Sequence, residues 1–490
     1  MARRCTNRTR GFPLPWETFT LSSPGGEGSF IDMIDVINPA RFSEVVGRVR
    51  ASSEAEVNCA LDQAQLAFKS WSRTPPEERA SRLSAAAGDL RNVLPDLAKL
   101  FVRENGKPLR EAEIDIRRSI EMMEIIAKDL PEWSKPSLID PNQPVWARRR
   151  ARGVTAVISP WNSPVLLSFK RFVPAIASGN TAIVKPSSYC PLAIMQCIDI
   201  INQHLPSAVL RGIAGSGPVV GEKLASDERV RAVAFTGSTE TGRRIMELAS
   251  RTVKKIFLEL GGNDPAIVLR DARLDDETIG RMTHAILRAS GQVCIAIKRI
   301  YVHASRSDEL LEKLSQSFDR IVVGDGLAQE TTMGPLNNRS QFEFVTGLLD
   351  QCNRKGLGVI TKGRKLSSAT WNEGFFVLPS IVIGAGDDDE IVRCEQFGPV
   401  IPIMSFENED DAVERANRTH FGLRASVWTE DHRQAETLAD RLEAGAVFLN
   451  NHGIFRDLHI EFPGAKQSGF SRESRAAALD HYADTYGFAE

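Results

Sequence analysis

The sequence predicts an α/β protein built on a doubly wound, mostly parallel sheet, with a second α/β region behind it. Three observations carry this reading. Short β-branched runs alternate with segments of helical length from about residue 153 onward, the pattern of parallel strands joined by crossover helices. Residues with unusual chemistry fall where those runs end, namely Asn162, Lys185, Gly215 and Gly217, Gly237 and Ser238, and open sheets of this kind bind ligands beyond the carboxyl ends of their strands. At 490 residues the chain exceeds what one compact core holds, so two or three domains are expected.

Taken in order, residues 1–30 are rich in Pro, Gly, Ser and Thr and read as a mobile arm. Helical patterning follows from about 52 to 130. "SSEAEVNCALDQAQLAFKSWSR" opens with Ser52-Ser53 and Glu56 in a capping-box arrangement and gathers Val57, Ala60, Leu61, Ala64 and Ala67/Phe68 on one face. "PPEERASRLSAAAGDLRNVL" opens with prolines, which suit a first helical turn. The strands are then "GVTAVISP" (153–160), "NTAIVKPSS" (180–188), "VLRGIAG" (209–215) and "RAVAFTGS" (231–238), separated by helical segments such as "PLAIMQCIDIINQHL" and "GPVVGEKLAS". The second region, about 260–455, offers the strands "PAIVL", "RIYVH", "VIPIMSF", "ASVWT" and "AVFLN", with helices over 307–320 and 408–418.

Composition excludes several classes. Sixty-one basic against sixty-three acidic side chains leave a formal charge of −2, with no electrostatic footprint for nucleic acid. The one basic run, "ARRRAR" (147–152), reads as a solvated strand face or a subunit contact. Seven cysteines, at 5, 59, 190, 197, 294, 352 and 394, lack zinc spacing and are odd in number, so neither a metal site nor a disulfide framework is expected. The basic start has no apolar stretch behind it and no window is apolar enough to span a bilayer, so a cytoplasmic protein is expected.

Several short stretches carry chemistry, each with a plain alternative. "FTGSTETG" (235–242) follows a strand and opens a helix, so it is either a tight turn or a phosphate cradle. Lys185 in "VKPS" is either a solvated charge or a ribose or phosphate contact. Glu259 in "LELGGNDP" is either half of an ion pair or a base whose pKa burial raises. Asn162 in "SPWNSP" is either a turn former or an oriented amide donor. Cys294 in "GQVCIA", behind a glycine read as the end of the preceding helix, is either a small buried hydrophobe or a nucleophile. The three together supply a nucleophile, a base and an oxyanion donor.

The ordered set "SPWNSP", "GNTAIVKPS", "FTGST", "LELGGNDP", "GQVCIA" with Arg299 five residues after the cysteine, "EQFGPV" and "FPGAKQSG" resembles the aldehyde dehydrogenase superfamily over roughly 30–485. The resemblance implies a Rossmann-like cofactor domain (31–133 with 153–258), a second α/β catalytic domain (259–455), and a small β-strand oligomerisation module (134–152 with 456–490, the latter also forming a substrate rim). It implies oxidation of an aldehyde to the acid with NAD or NADP through a thioester on Cys294, with Asn162 holding the oxyanion and Glu259 activating water. Ser159, Trp161, Lys185, Ser188, Gly237, Ser238, Glu395 and Phe397 would hold the cofactor. Ser163, Leu167, Lys170, Val293, Ile295, Arg456 and Phe462 would line the aldehyde tunnel, and the chain would form a homodimer or homotetramer.

Two departures from the family pattern matter. Ser188 stands where relatives often carry a ribose-binding glutamate, which removes repulsion against a 2′-phosphate and implies that NADP is accepted, even preferred. Arg171, preceded by Lys170, stands where a lysine is usual; a guanidinium keeps the charge but relays no proton. The substrate reads as an apolar or aromatic aldehyde or, with Lys170 and Arg456 as cationic contacts, an anionic semialdehyde. The rival functions are a thiol esterase or hydrolase, which needs a histidine that no motif places, acyl transfer to coenzyme A, which Glu259 argues against, and a catalytically silent structural protein on this fold.

Overall fold

A computed structural model of the chain describes residues 33–140, 142, 144–453, 463–471 and 475–489. The proposed arm (1–30) and the rim positions Arg456 and Phe462 lie outside the described residues.

The first sheet contains the four expected strands, Val154–Ile158, Thr181–Lys185, Leu210–Gly212 and Val230–Thr236, and a fifth, Lys255–Glu259. All pairings are parallel. In order of appearance the strands lie 3-2-1-4-5 across the sheet. The order therefore reverses between Val154–Ile158 and Val230–Thr236, and that switch point opens a crevice at their carboxyl ends. The strands Val154–Ile158 and Thr181–Lys185 are buried along their whole length because both faces are covered. Val157, Ala182, Val184, Ala232 and Ala234 pack against the helices Pro76–Asn92, Leu109–Trp133 and Pro164–Ala177. The alternate residues Val154, Ala156, Ile183, Val233 and Phe235 face Val57, Leu61 and Ala64 of the helix Glu54–Trp71. That helix starts as its sequence demands: Ser53 caps it, and Glu56 completes the capping box. The segment "GPVVGEKLAS" is less regular than expected, opening as a π-turn over Gly217–Gly221 before the short helix Glu222–Ser226.

The second sheet has seven strands. The five expected are joined by Gly358–Thr361 and Ser380–Ile383, and only the edge strand Gly358–Thr361 runs antiparallel. Alternation again divides two cores: Ile267, Tyr301 and Val427 face one way, Ala266, Val268, Ile300 and Val302 the other.

A separate antiparallel sheet joins Ser137–Asp140, Val145–Ala151 and Ala483–Ala489. It absorbs the basic run. Arg148 lies over the Phe488 ring at 4.1 Å and Arg150 over Tyr486 at 5.4 Å. Arg149 pairs with Asp480 at 2.9 Å, and Arg152 pairs with Asp484.

One local expectation is corrected. The helix before the nucleophile loop ends at Leu287, not at Gly291. Ala289 and Ser290 then take left-handed backbone angles (φ 49° and 59°), a conformation costly for residues with a Cβ. Two anchors hold it: the Ala289 N–H donates to Glu111 at 2.9 Å, and Ser290 Oγ donates to the Gly334 carbonyl at 2.8 Å.

Candidate active site

Three chain segments meet at Cys294. The turn 159–163 leaves the carboxyl end of the first strand, the nucleophile loop 289–296 precedes the strand Ile297–His303, and Glu259 ends the fifth strand of the first sheet. The Asn162 amide, 7% exposed, donates to the Gln292 carbonyl at 2.9 Å. This bond crosses 130 residues of sequence and locks the turn onto the nucleophile loop. Gln292 is fixed in turn: its amide donates to the Ala289 carbonyl at 3.0 Å and its side-chain oxygen accepts from Asn337 N at 2.9 Å. Asn337 donates to the Asn105 carbonyl at 3.2 Å, and Asn105 donates to the Trp161 carbonyl at 2.7 Å, closing the ring of contacts behind the turn. None of Gln292, Asn337 and Asn105 stood out in the sequence.

Cys294 is half-buried. Burial pushes its thiol up to about 11; Lys298 works against that rise, while Glu395, Glu259 and Asp264 add to it. Cys190 and Cys197, wholly buried and near the Glu104 carboxylate, are pushed higher still. The loop can come this close to the second sheet because residue 262 is glycine: a Cβ there would stand 2.6 Å from the Cys294 carbonyl oxygen. Among the described residues no histidine is hydrogen-bonded to Cys294. His452 bonds Ser426 Oγ at 3.0 Å and faces Asp264 at 3.6 Å, wholly inside the protein.

Glu259 is mostly buried, and its Oε1 lies 3.9 Å from Arg171 Nη2. Arg171 donates to Ser471 Oγ at 2.6 Å. The departure from lysine thus gives Glu259 a permanently charged neighbour. Gly469, at φ 112°, bridges to Glu259 from the carboxyl-terminal segment, where a Cβ would collide with the Leu258 carbonyl at 2.1 Å.

The other positions expected to hold a cofactor lie at strand ends of the first sheet and in the segment 395–397. Ser159 accepts from Ser168 Oγ at 2.8 Å. Lys185, 5% exposed, donates to one carbonyl, that of Pro186, at 3.0 Å, and burial lowers its pKa to about 8. Ser188 Oγ donates to the Gly215 carbonyl at 3.3 Å. Ser238 caps the helix Thr239–Ser250, accepting from Thr241 N, so its side chain serves the helix and the first-turn N–H groups face outward. Gly237 has no room for a Cβ, which would meet the Phe235 ring at 2.5 Å. Glu395 accepts from Gly262 N at 3.0 Å, and burial raises its pKa against the pull of Lys298. Phe397 meets Trp161 edge-on at 5.4 Å, its left-handed backbone (φ 49°) held by Gln341, which donates to the carbonyls of Gln396 and Phe397 at 3.0 and 3.1 Å. A buried lysine with one partner, a helix N-terminus and an anchored carboxylate along one crevice fit a dinucleotide's ribose, pyrophosphate and second ribose.

Of the positions expected to line a tunnel, Ser163, Leu167 and Lys170 share a face of the helix Pro164–Ala177 by their spacing. Ser163 Oγ donates to Asp115 at 3.0 Å and receives Lys107 at 3.3 Å, an ion-pair contact the sequence reading missed. Val293 packs with Ala289 and Ala296, and Ile295 lies outside them. Among the described residues no three His, Cys, Asp or Glu side chains are grouped as metal ligands would be, and no helix is long and apolar enough to cross a membrane.

The family model "Aldehyde dehydrogenase family" matches residues 27–486. The chain is 32% identical over 475 residues to a 4-trimethylaminobutyraldehyde dehydrogenase of Sus scrofa, covering 95% of this chain and 96% of that one. It is 32% identical over 454 residues to a betaine aldehyde dehydrogenase of Vibrio vulnificus, with 92% of each covered. A crystal structure of betaine aldehyde dehydrogenase from Staphylococcus aureus in complex with NAD+ superposes with a TM-score of 0.88 at 29% identity, covering 93% of this chain and 91% of that one.

Proposed function

The chain belongs to the aldehyde dehydrogenase family, and we propose that it oxidises an aldehyde to the carboxylic acid with NAD or NADP through a thioester on Cys294. The observation that carries this reading is the Asn162–Gln292 bond, which seats an amide donor against the loop that bears Cys294, a half-buried thiol that feels the Glu259 carboxylate.

Cys294 attacks the aldehyde carbon as thiolate, the sulfur gaining the carbon while the carbonyl oxygen becomes an oxyanion. The Asn162 amide and the Cys294 N–H hold that oxygen, the kind of stabilisation whose loss costs roughly 10²–10³ in rate. A nicotinamide bound in the crevice supplies the acceptor for the hydride that the tetrahedral adduct must lose. Lys185 and Ser188 hold the adenosine ribose, the Gly237–Ser238 turn and its helix hold the pyrophosphate, and Glu395 holds the nicotinamide ribose with Phe397, Trp161 and Ser159 beside it. Glu259 takes a proton from water, which adds to the thioester; the carboxylic acid leaves and Cys294 is restored.

Ser188, with no carboxylate to repel a 2′-phosphate, supports acceptance of NADP beside NAD. The substrate is an apolar or aromatic aldehyde or an anionic semialdehyde, with Ser163, Leu167, Lys170, Val293 and Ile295 as the tunnel and Lys170 as the discriminating charge. Relatives named for trimethylammonium aldehydes make such a cation the first competitor to test. We assign cofactor binding to 31–133 with 153–258 and catalysis to 259–455. The antiparallel sheet of 134–152 with the tail joins copies into a homodimer or homotetramer, its Leu138, Ile139, Tyr486 and Phe488 being exposed. A cytoplasmic location is part of the same proposal.

The test is formation of reduced nicotinamide by purified protein with each cofactor crossed against apolar, aromatic, anionic and trimethylammonium aldehydes, beside Cys294→Ala. Turnover that vanishes in the variant supports the reading; activity that survives loss of the thiol sinks it.

A further inference from the structure

Four residues after Cys294, inside the apolar strand Ile297–His303, stands Lys298, with a side chain only 3% exposed. A buried ammonium is costly unless it is surrounded by acceptors and a counter-charge. Lys298 has both. Its Nζ donates to the Cys294 carbonyl at 2.6 Å and the Val293 carbonyl at 2.8 Å, with Ala296 O at 3.5 Å. The Glu395 Oε1 lies 3.5 Å away, on the carboxylate that also accepts from Gly262 N. One cation therefore ties the underside of the nucleophile loop to the carboxylate assigned to the nicotinamide ribose.

Peptide geometry makes the consequence specific. In a trans peptide the C=O of one residue and the N–H of the next point in opposite directions. A Val293 carbonyl drawn down onto Lys298 therefore turns the Cys294 N–H the other way, towards the cleft side of the loop.

We propose that Lys298 is a positioning residue of this site: its ammonium clamps the Val293 and Cys294 carbonyls so that the Cys294 N–H is aimed as oxyanion donor, keeps a positive charge beneath the nucleophile, and holds Glu395 in register with both. The proposal deepens the reading of Cys294 as nucleophile and Glu395 as cofactor ligand, and rests on it. The charged and titratable groups around the thiol are Lys298, Glu395, Glu259 and Asp264, with Arg171 beside Glu259 and His452 beside Asp264. Lys298 is the cation that opposes the burial of the sulfur.

The experiment is the pH dependence of Cys294 alkylation by iodoacetamide in the full-length protein without cofactor, comparing Lys298→Met, Lys298→Gln and Lys298→Arg with the parent, each checked by thermal melting. Removing the charge in Lys298→Met should move the alkylation midpoint up by about one pH unit and slow the neutral-pH reaction about tenfold. Lys298→Gln, which keeps a donor for the carbonyls without the charge, should show the same midpoint shift but a smaller fall in kcat than Lys298→Met. Lys298→Arg should keep the parent midpoint. If Lys298→Met does not fold, the Gln and Arg variants decide: a raised midpoint in the first and a parental one in the second support the proposal, and equal midpoints overturn it. A Lys298→Met profile that superposes on the parent also overturns it. Absence of aldehyde oxidation by the parent protein would defeat the functional reading while leaving the alkylation comparison valid.

Discussion

Two buried lysines stand at strand ends in the two sheets, and the structure treats them differently. Lys185 ends a strand of the five-stranded sheet, 5% exposed, and its ammonium donates to one carbonyl. Lys298 is the second residue of a strand of the seven-stranded sheet, 2% exposed, with carbonyls and a carboxylate around it. The first is a charge whose donors are left over for something that comes and goes; the second is a charge whose donors are already used. The same contrast runs through the two regions. The crevice presents helix N–H groups and one under-coordinated ammonium, which suits a dissociable cofactor. The nucleophile loop is tied by Asn162, Gln292, Asn337, Glu111 and Lys298, which suits a reaction that needs fixed geometry.

If that contrast is right, damage to the tied region should lower kcat and damage to the open crevice should raise the cofactor KM. The largest effect belongs to Glu259→Gln, which should lower steady-state turnover by roughly 10²–10⁴ because hydrolysis of the thioester loses its base. Cofactor affinity, read by nicotinamide fluorescence titration, should stay within about twofold in the same variant, since the substitution lies outside the proposed ribose and pyrophosphate contacts. Next comes Lys185→Met, expected to raise the cofactor KM about tenfold with kcat nearly unchanged, as loss of uniform binding does. Its pH dependence sharpens the point. Burial favours the neutral amine, so the Lys185 charge is present below about 8 and lost above it. The parent's cofactor KM should therefore climb as pH rises through that value, whereas the Met variant, already weak, should be flat. A variant that loses kcat instead would break the comparison. The smallest effect is Ser188→Glu, which should turn the ratio of kcat/KM values towards NAD by about tenfold through repulsion of a 2′-phosphate and capture of the ribose hydroxyl. An unchanged ratio would remove Ser188 from cofactor choice.

The sequence made the candidate reactive groups legible and hid what holds them. Cys294, Glu259 and Asn162 each sit in a short motif whose neighbours are themselves diagnostic, and the doubly wound sheet shows as alternating runs of the right length. Gln292, Asn337 and Asn105 are ordinary polar residues until folding brings them together across as many as 232 positions. Lys298 left a readable mark, a lysine inside the apolar run "IAIKRIYV", where burial would be expensive without partners. The strands Lys255–Glu259 and Gly358–Thr361 were missed for a physical reason: as edge strands they are exposed on part of their length, so their apolar runs are short. The helix end before Cys294 was placed four residues late because tertiary anchors, which local propensity does not encode, hold Ala289 and Ser290 left-handed.

The proposed reaction passes through a covalent intermediate at one sulfur. The most direct test is the intact mass of Glu259→Gln shortly after mixing with an oxidisable aldehyde and oxidised cofactor. A gain equal to the acyl group, mapped to Cys294 and matched by about one equivalent of reduced nicotinamide per chain, is the predicted result. Nicotinamide reduced at the parental rate with no acyl mass on Cys294 would contradict it.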